Sequence, residues 1–191
     1  MPLTDHENCL LIIIDAQPGF YPTDMSESDR AAAETALTRA AWLTALAAAL
    51  AMPIVVTEEE PERNGRTDWR FPLPPETPVL VKPTFGLAGT PAILDAVQAT
   101  ERTTAVLVGF ETDVCVFQSA VGLVDSGLEV IALEDATFSP GEMHGRGLER
   151  LRDAGVRLTH CKSLAYEWVR TVERSTELLS SGVLGPPPFK L

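Results

Sequence analysis

The segment Cys9–Ile14 reads CLLIII, and Asp15 closes it. A strand with one wet face alternates apolar and polar side chains, so an unbroken apolar, β-branched run marks a strand covered on both faces. Strands of that kind belong to parallel sheets flanked by helices, and this run is too short to cross a bilayer. The segment therefore narrows the chain to an α/β architecture in which a central strand delivers an aspartate to its carboxyl end.

The rest of the sequence alternates in the same sense. Ser28–Leu50 is Ala- and Leu-rich with a helical period. Met52–Thr57 (MPIVVT) and Pro78–Val81 (PVLV) read as the second and third strands, and Thr90–Ala99 as a short helix with Pro91 in its first turn. Thr104–Val108 (TAVLV) is a fourth strand, followed by a helix from Asp113 to Asp125 that Gly127 closes. Glu129–Leu133 (EVIAL) and Val156–Thr159 (VRLT) are the fifth and sixth strands, separated by a helix over Gly141–Ala154, and a last helix covers Leu164–Leu179. Strands separated by helices predict a parallel sheet between two helical layers, an α/β/α sandwich. The 191 residues, with no linker among them, read as a single domain.

Two stretches are less regular. Glu58–Pro78 carries charge and four prolines before Pro78, so it reads as a long surface loop. Ser180–Leu191, with Pro186-Pro187-Pro188, cannot continue the last helix and reads as a tail, either disordered or crossing onto a partner subunit.

Composition limits the partners. A formal net charge of -12 offers no basic patch to nucleic acid or to an anionic membrane. Cys9, Cys115 and Cys161 form no CxxC pair and no cluster with zinc spacing. Such a sparse, odd set suggests free thiols in a reducing compartment. With no basic segment leading into an apolar leader, a cytoplasmic location is the default expectation.

In open parallel sheets, ligands bind beyond the carboxyl ends of the strands. Asp15 follows the first strand, Lys82 the third, and Cys115 lies just past the fourth, so all three are expected at one edge. Singly, each has a plainer reading: a turn aspartate, a solvated strand-end lysine before Pro83, a small buried cysteine. Their shared address favours chemistry instead. Cys115 also falls in the first turn of a helix, where the dipole favours a thiolate.

The motifs around these residues resemble those of the isochorismatase-like cysteine hydrolases, a superfamily that includes nicotinamidases, carbamoylsarcosine amidases and ureidoacrylate hydrolases. VGFETDVCV (Val108–Val116) resembles the nucleophile motif, LLIIIDAQPGF (Leu10–Phe20) the first strand and its aspartate, and KPTFGLAGT (Lys82–Thr90) the lysine segment. DSGLEVIALEDATFS (Asp125–Ser139) resembles the strand and turn that follow. The resemblance implies a Rossmann-like six-stranded parallel sheet of order 3-2-1-4-5-6, and a non-proline cis peptide between Phe110 and Glu111. It implies Asp15, Lys82 and Cys115 as the catalytic group, with backbone N–H groups of Glu111 and Cys115 as an oxyanion hole. Cleavage of a C–N bond in a small amide or ureide through a thioester is the implied activity, in a homo-oligomer of two or more subunits.

The sequence also departs from some members. Nicotinamidases carry a metal site of an aspartate and histidines, whereas Thr57–Phe71 (TEEEPERNGRTDWRF) holds no histidine, and His6, His144 and His160 are not spaced for shared ligation. No metal or other cofactor is expected, and Glu58, Glu59 and Glu60 read as a solvated acidic turn rather than a cation site. True isochorismatases cleave a vinyl ether without a cysteine nucleophile, so Cys115 points to acyl chemistry. VVTEEEPERNGRT resembles uncharacterised members with a TEQ-type sequence after the second strand. Phe20, Trp69, Phe85 and Phe110 are the pocket candidates, with Arg63, Arg66 or Arg70 available to a substrate carboxylate. Cys9 and Cys161 read as structural thiols. The competing reading is a catalytically idle scaffold on the same fold.

Overall fold

A computed structural model describes residues 3–189. Strand β1 (Cys9–Ile14) is buried at every position. It pairs in parallel with β2 (Ile54–Glu59) on one side and with β4 (Thr104–Phe110) on the other. With β3 (Val79–Lys82), β5 (Glu129–Phe138) and β6 (Arg157–Thr159) they form an all-parallel six-stranded sheet of order β3-β2-β1-β4-β5-β6, as expected.

The alternation of side chains along β1 explains why the sheet needs helices on both faces. Cys9, Leu11 and Ile13 join a core with α1 (Glu27–Ala49) and α6 (Cys161–Val169), where they meet Leu37, Leu43, Leu46 and Trp168. Leu10, Ile12 and Ile14 join a second core with α3 (Pro91–Gln98), α4 (Phe117–Asp125) and α5 (Met143–Asp153), among Ile93, Val97, Leu123 and Leu151. Each fully buried Leu or Ile contributes roughly 1.5–3 kcal/mol, so this strand is stabilised from two sides.

Several boundaries differ from the sequence reading, each for a physical reason. β2 begins at Ile54 and runs on to Glu59, because β3 pairs with its last residues. β3 lies at the sheet edge, which leaves Val79 and Val81 exposed. β5 extends past Leu133 to Phe138, and Arg39 of α1 meets its Asp135 at 3.1 Å. The helix after β4 starts as a π-helical turn over Thr112–Val116 before α4 begins. The expected last helix is two helices, α6 and α7 (Val172–Ser180), separated at Arg170 (φ 69°), with the Thr171 side chain accepting the Arg174 N–H to cap the second.

The expected surface loop after β2 contains a short helix, α2 (Pro61–Asn64), and is tied down where Asp68 N–H donates to the Ala16 carbonyl at 2.8 Å. Over its described part the tail packs against α1 of its own chain. Trp42 of α1 donates its indole N–H to the Gly185 carbonyl at 3.0 Å and packs edge-on against Phe189, while Leu184 is buried. Positions 190 and 191 of the expected tail lie outside the described residues.

Gly109, beside Ile14 in the pairing of β4 with β1, is the tightest point of the sheet. Its φ of +116° is one that L side chains rarely adopt, and a β-carbon there would overlap the Ile14 carbonyl oxygen. The atoms it would meet are Ile14 backbone, so relaxation requires the two central strands to separate. Gly109→Ala should therefore lower stability by more than about 3 kcal/mol or prevent folding. Urea denaturation measures this, and a loss below about 1 kcal/mol would show that the strands give way easily.

Candidate active site

At the carboxyl end of β1 the chain turns sharply, with Asp15 at φ 47°, and the Asp15 side chain is fully buried. Its Oδ1 accepts a hydrogen bond from Thr57 Oγ1 of β2 at 2.8 Å. Its Oδ2 lies 2.7 Å from Lys82 Nζ, at the end of β3. Lys82 is also fully buried, so it is not a solvated strand end. Its ammonium donates to the Thr84 carbonyl at 3.0 Å and to Glu59 Oε2 at 3.3 Å.

Cys115 sits in the π-helical turn after β4, and its Sγ donates to the same Glu59 Oε2 at 3.2 Å. Donor atoms of Asp15, Glu59 and Cys115 all lie within 4.8 Å of one another. The three residues selected by strand-end position thus meet, together with a fourth that the sequence reading assigned to a solvated acidic turn. That assignment is corrected for two residues of the three. Glu59 lies opposite Lys82 in the register of β2 with β3 and faces the thiol. Glu58 points the other way and is buried, accepting from Thr67 N–H and Oγ1 and pairing with Arg66. Only Glu60 is exposed.

Gln17 explains how Glu59 is held. The Gln17 side chain accepts the Glu59 N–H at 2.7 Å and donates to the Glu59 carbonyl at 3.1 Å, while Asn64 donates to that carbonyl at 2.8 Å. The strand-like pairing of β2 is thereby continued by side chains beyond the last residues of β1. A pairing register was the only signal for Glu59, and a register is fixed by two distant segments.

Charge decides the resting state. Burial pushes the Cys115 thiol well above its ordinary value of 9.0; Asp15 and Glu59 push it the same way, and Lys82 opposes them. Burial and the two carboxylates thus favour the protonated thiol, against the lysine and the helix dipole. Burial likewise raises the Asp15 carboxyl against the pull of Lys82. Burial alone would lower Lys82, but Asp15, Cys115 and Glu59 outweigh it and keep the ammonium charged. That ammonium stands between the two carboxylates and offsets part of their charge.

The peptide between Phe110 and Glu111 is cis. Among the described residues the Glu111 N–H meets no hydrogen-bond acceptor. The aromatic pocket candidates are not drawn together as expected. Phe110 belongs to the core, its ring 5.3 Å from that of Tyr21 and 6.0 Å from that of Phe138. Phe20 is partly buried against that core, while Trp69 and Phe85 are exposed. The loop arginines are engaged, Arg63 with Glu60, Arg66 with Glu58, and Arg70 with Glu34 and Asp68. His144 bridges Thr112 Oγ1 and the Glu134 carbonyl. Cys9 and Cys161 are fully buried, Cys9 donating to the Asp5 carbonyl.

The sequence matches the isochorismatase domain over residues 9–163. The chain belongs to the isochorismatase family. It is 31% identical over 125 residues to isochorismatase domain-containing protein 1 of Danio rerio, covering 65% of this chain and 44% of that protein. It is 31% identical over 132 residues to isochorismatase domain-containing protein 2 of Bos taurus, covering 68% of this chain and 63% of the relative. The match thus spans less than two thirds of either relative's length. Among solved structures, the YcaC gene product of Escherichia coli, described as an octameric hydrolase of unknown specificity, superposes with a TM-score of 0.79 at 21% identity. That comparison covers 93% of this chain and 87% of YcaC. Nicotinamidase PncA of Bacillus subtilis superposes with a TM-score of 0.66 at 17% identity over 80% of this chain and 99% of its own. No helix among the described residues is long and apolar enough to cross a membrane.

In this isochorismatase-family chain the loop after β2 is braced beside the site by one polar network. Tyr21 donates to Asp68 Oδ2 at 2.8 Å, and Arg70 clamps both Asp68 oxygens while reaching Glu34 of α1. Burial would raise the Asp68 carboxyl, but the hydrogen bonds from Arg70 and Tyr21 and the Arg70 charge outweigh it and hold it at about 2, below its ordinary 3.8. A carboxyl depressed in the fold stabilises it above the unfolded value and loses that contribution as pH falls through the folded one. Melting temperature should therefore drop between about pH 4 and pH 2 less steeply in Asp68→Asn than in the wild type. Parallel curves would show that the network carries no stability.

Proposed function

We propose that the chain is a hydrolase that cleaves a C–N bond in a small amide or ureide, with Cys115 as its nucleophile. The observation that carries this reading is a buried thiol, two carboxylates and a lysine gathered at the carboxyl edge of a parallel sheet. A neutral thiol needs a base before it attacks, and Asp15 and Glu59 each hold a carboxylate oxygen within 4.8 Å of the sulfur. Asp15 accepts the Cys115 proton, and Lys82 stabilises the negative charge that remains nearby. Sγ bonds to the carbonyl carbon, and the N–H groups of Glu111 and Cys115 receive the oxyanion. The unpartnered Glu111 N–H supports that assignment. Asp15 returns its proton to the departing nitrogen as the C–N bond breaks, and water then hydrolyses the thioester.

A homo-oligomer of two or more subunits is part of this reading. The octameric description of YcaC and the exposed Val79 and Val81 of edge strand β3 support it, and light scattering measures it. The loop arginines pair with Glu60, Glu58, Glu34 and Asp68, which favours neutral amides, ureides and carbamoyl compounds as the class to screen first.

In that screen, wild type should release ammonia or amine from at least one compound, and Cys115→Ala should reduce the rate by at least about 1,000-fold. Turnover that survives in Cys115→Ala would reject the cysteine mechanism. Release from none of the class would favour the idle scaffold.

A further inference from the structure

Two carboxylates face Cys115, and they are held in different ways. Asp15 is fully buried, with Oδ1 occupied by Thr57 and Oδ2 against Lys82. The Glu59 side chain is 16% exposed, which opens it toward solvent, and its Oε2 receives both the thiol and the ammonium. Its backbone is clamped by Gln17 and Asn64, so the carboxylate stands on a rigid strand end rather than on a mobile loop.

We propose that Glu59 is a second proton-handling group of this site, serving hydrolysis of the thioester while Asp15 serves its formation. The proposal rests on the cysteine-hydrolase reading given above. Water needs a base that it can reach, and Glu59 is the more open of the two carboxylates. As the water oxygen bonds to the thioester carbonyl carbon, one water proton passes to Glu59. The C–S bond then breaks, the carboxylic acid product leaves, and the electron pair stays on sulfur. Glu59 returns its proton to Sγ, which restores the Sγ–H···Oε2 contact of the resting site. No other reactant is needed.

The charged groups facing this carboxylate are Asp15 from β1, Lys82 from β3 and Cys115 from the π-helical turn. Glu111, whose carboxyl is raised by burial and by the charges of Asp113 and Glu59, lies within electrostatic reach. Glu58, on the same strand, is turned away toward Arg66 and Thr67. A Glu59 that served only to hold Lys82 would affect thioester formation and thioester hydrolysis alike.

The test uses the full chain, Glu59→Gln, with p-nitrophenyl acetate as acyl donor. The initial nitrophenolate burst should persist, the steady-state phase should fall on the order of 100-fold, and acetylated Cys115 should accumulate by intact mass. Glu59→Asp should recover part of the steady-state rate. Without substrate, the pH midpoint of Cys115 alkylation by iodoacetamide should move down by about one to two units in Glu59→Gln, because a carboxylate beside the thiol has been removed. Equal loss of burst and steady state, no change in either, or an unmoved alkylation midpoint would overturn the assignment. A wild type without any burst would overturn it together with the thioester mechanism, whereas a wild-type burst with an unmoved midpoint overturns Glu59 alone.

Discussion

Asp15 and Lys82 carry opposite charges 2.7 Å apart with no exposure to solvent. Removing two such groups from water costs several kcal/mol each, and only close contact with further polar partners offsets it. Those partners come from separate parts of the chain: Thr57 of β2 for the carboxylate, Thr84 and Glu59 for the ammonium. The pair is therefore held only when β1, β2 and β3 are in register. Removing one partner would strand the other charge, a loss of roughly 3–5 kcal/mol in comparable buried pairs. A charge that expensive is an unusual way to hold a fold together, and under the proposed hydrolase reading its position against a thiol gives it a chemical use.

The same burial sets how that thiol behaves. Burial and the two neighbouring carboxylates keep Cys115 protonated, so reactivity depends on moving a proton rather than on a standing thiolate. The fold sets two carboxylates near it, Asp15 sealed from solvent and Glu59 partly exposed. The loop after β2 stands beside them, braced through Asp68, Arg70 and Tyr21 against α1 and the turn after β1. Trp69, between two clamped neighbours, is nevertheless 89% exposed, a rigidly presented aromatic at the edge of that loop.

Much of this was legible in the sequence because it is local. The CLLIII run announces a doubly covered strand, and strand ends place Asp15, Lys82 and Cys115 at one edge without any knowledge of distances. Glu59 was not legible. Its neighbours Glu58 and Glu60 disguise it as part of an acidic turn, and only the pairing of β2 with β3 separates the three. Phe110 was misread for a related reason: adjacency to the site in sequence says nothing about which face of β4 a side chain takes. The break at Arg170 and the docking of the tail on Trp42 likewise depend on tertiary contacts that no window of sequence contains.

In the proposed hydrolase the buried Asp15–Lys82 pair makes Cys115 a nucleophile. Intact-mass measurement after exposure to a slow acyl donor, on wild type, Asp15→Asn and Lys82→Met, tests it most directly. One acyl group on Cys115 is expected in wild type, and none in either folded variant over the same time. Equal acylation of all three would contradict it, leaving Cys115 an accessible thiol with no need of the pair beneath it.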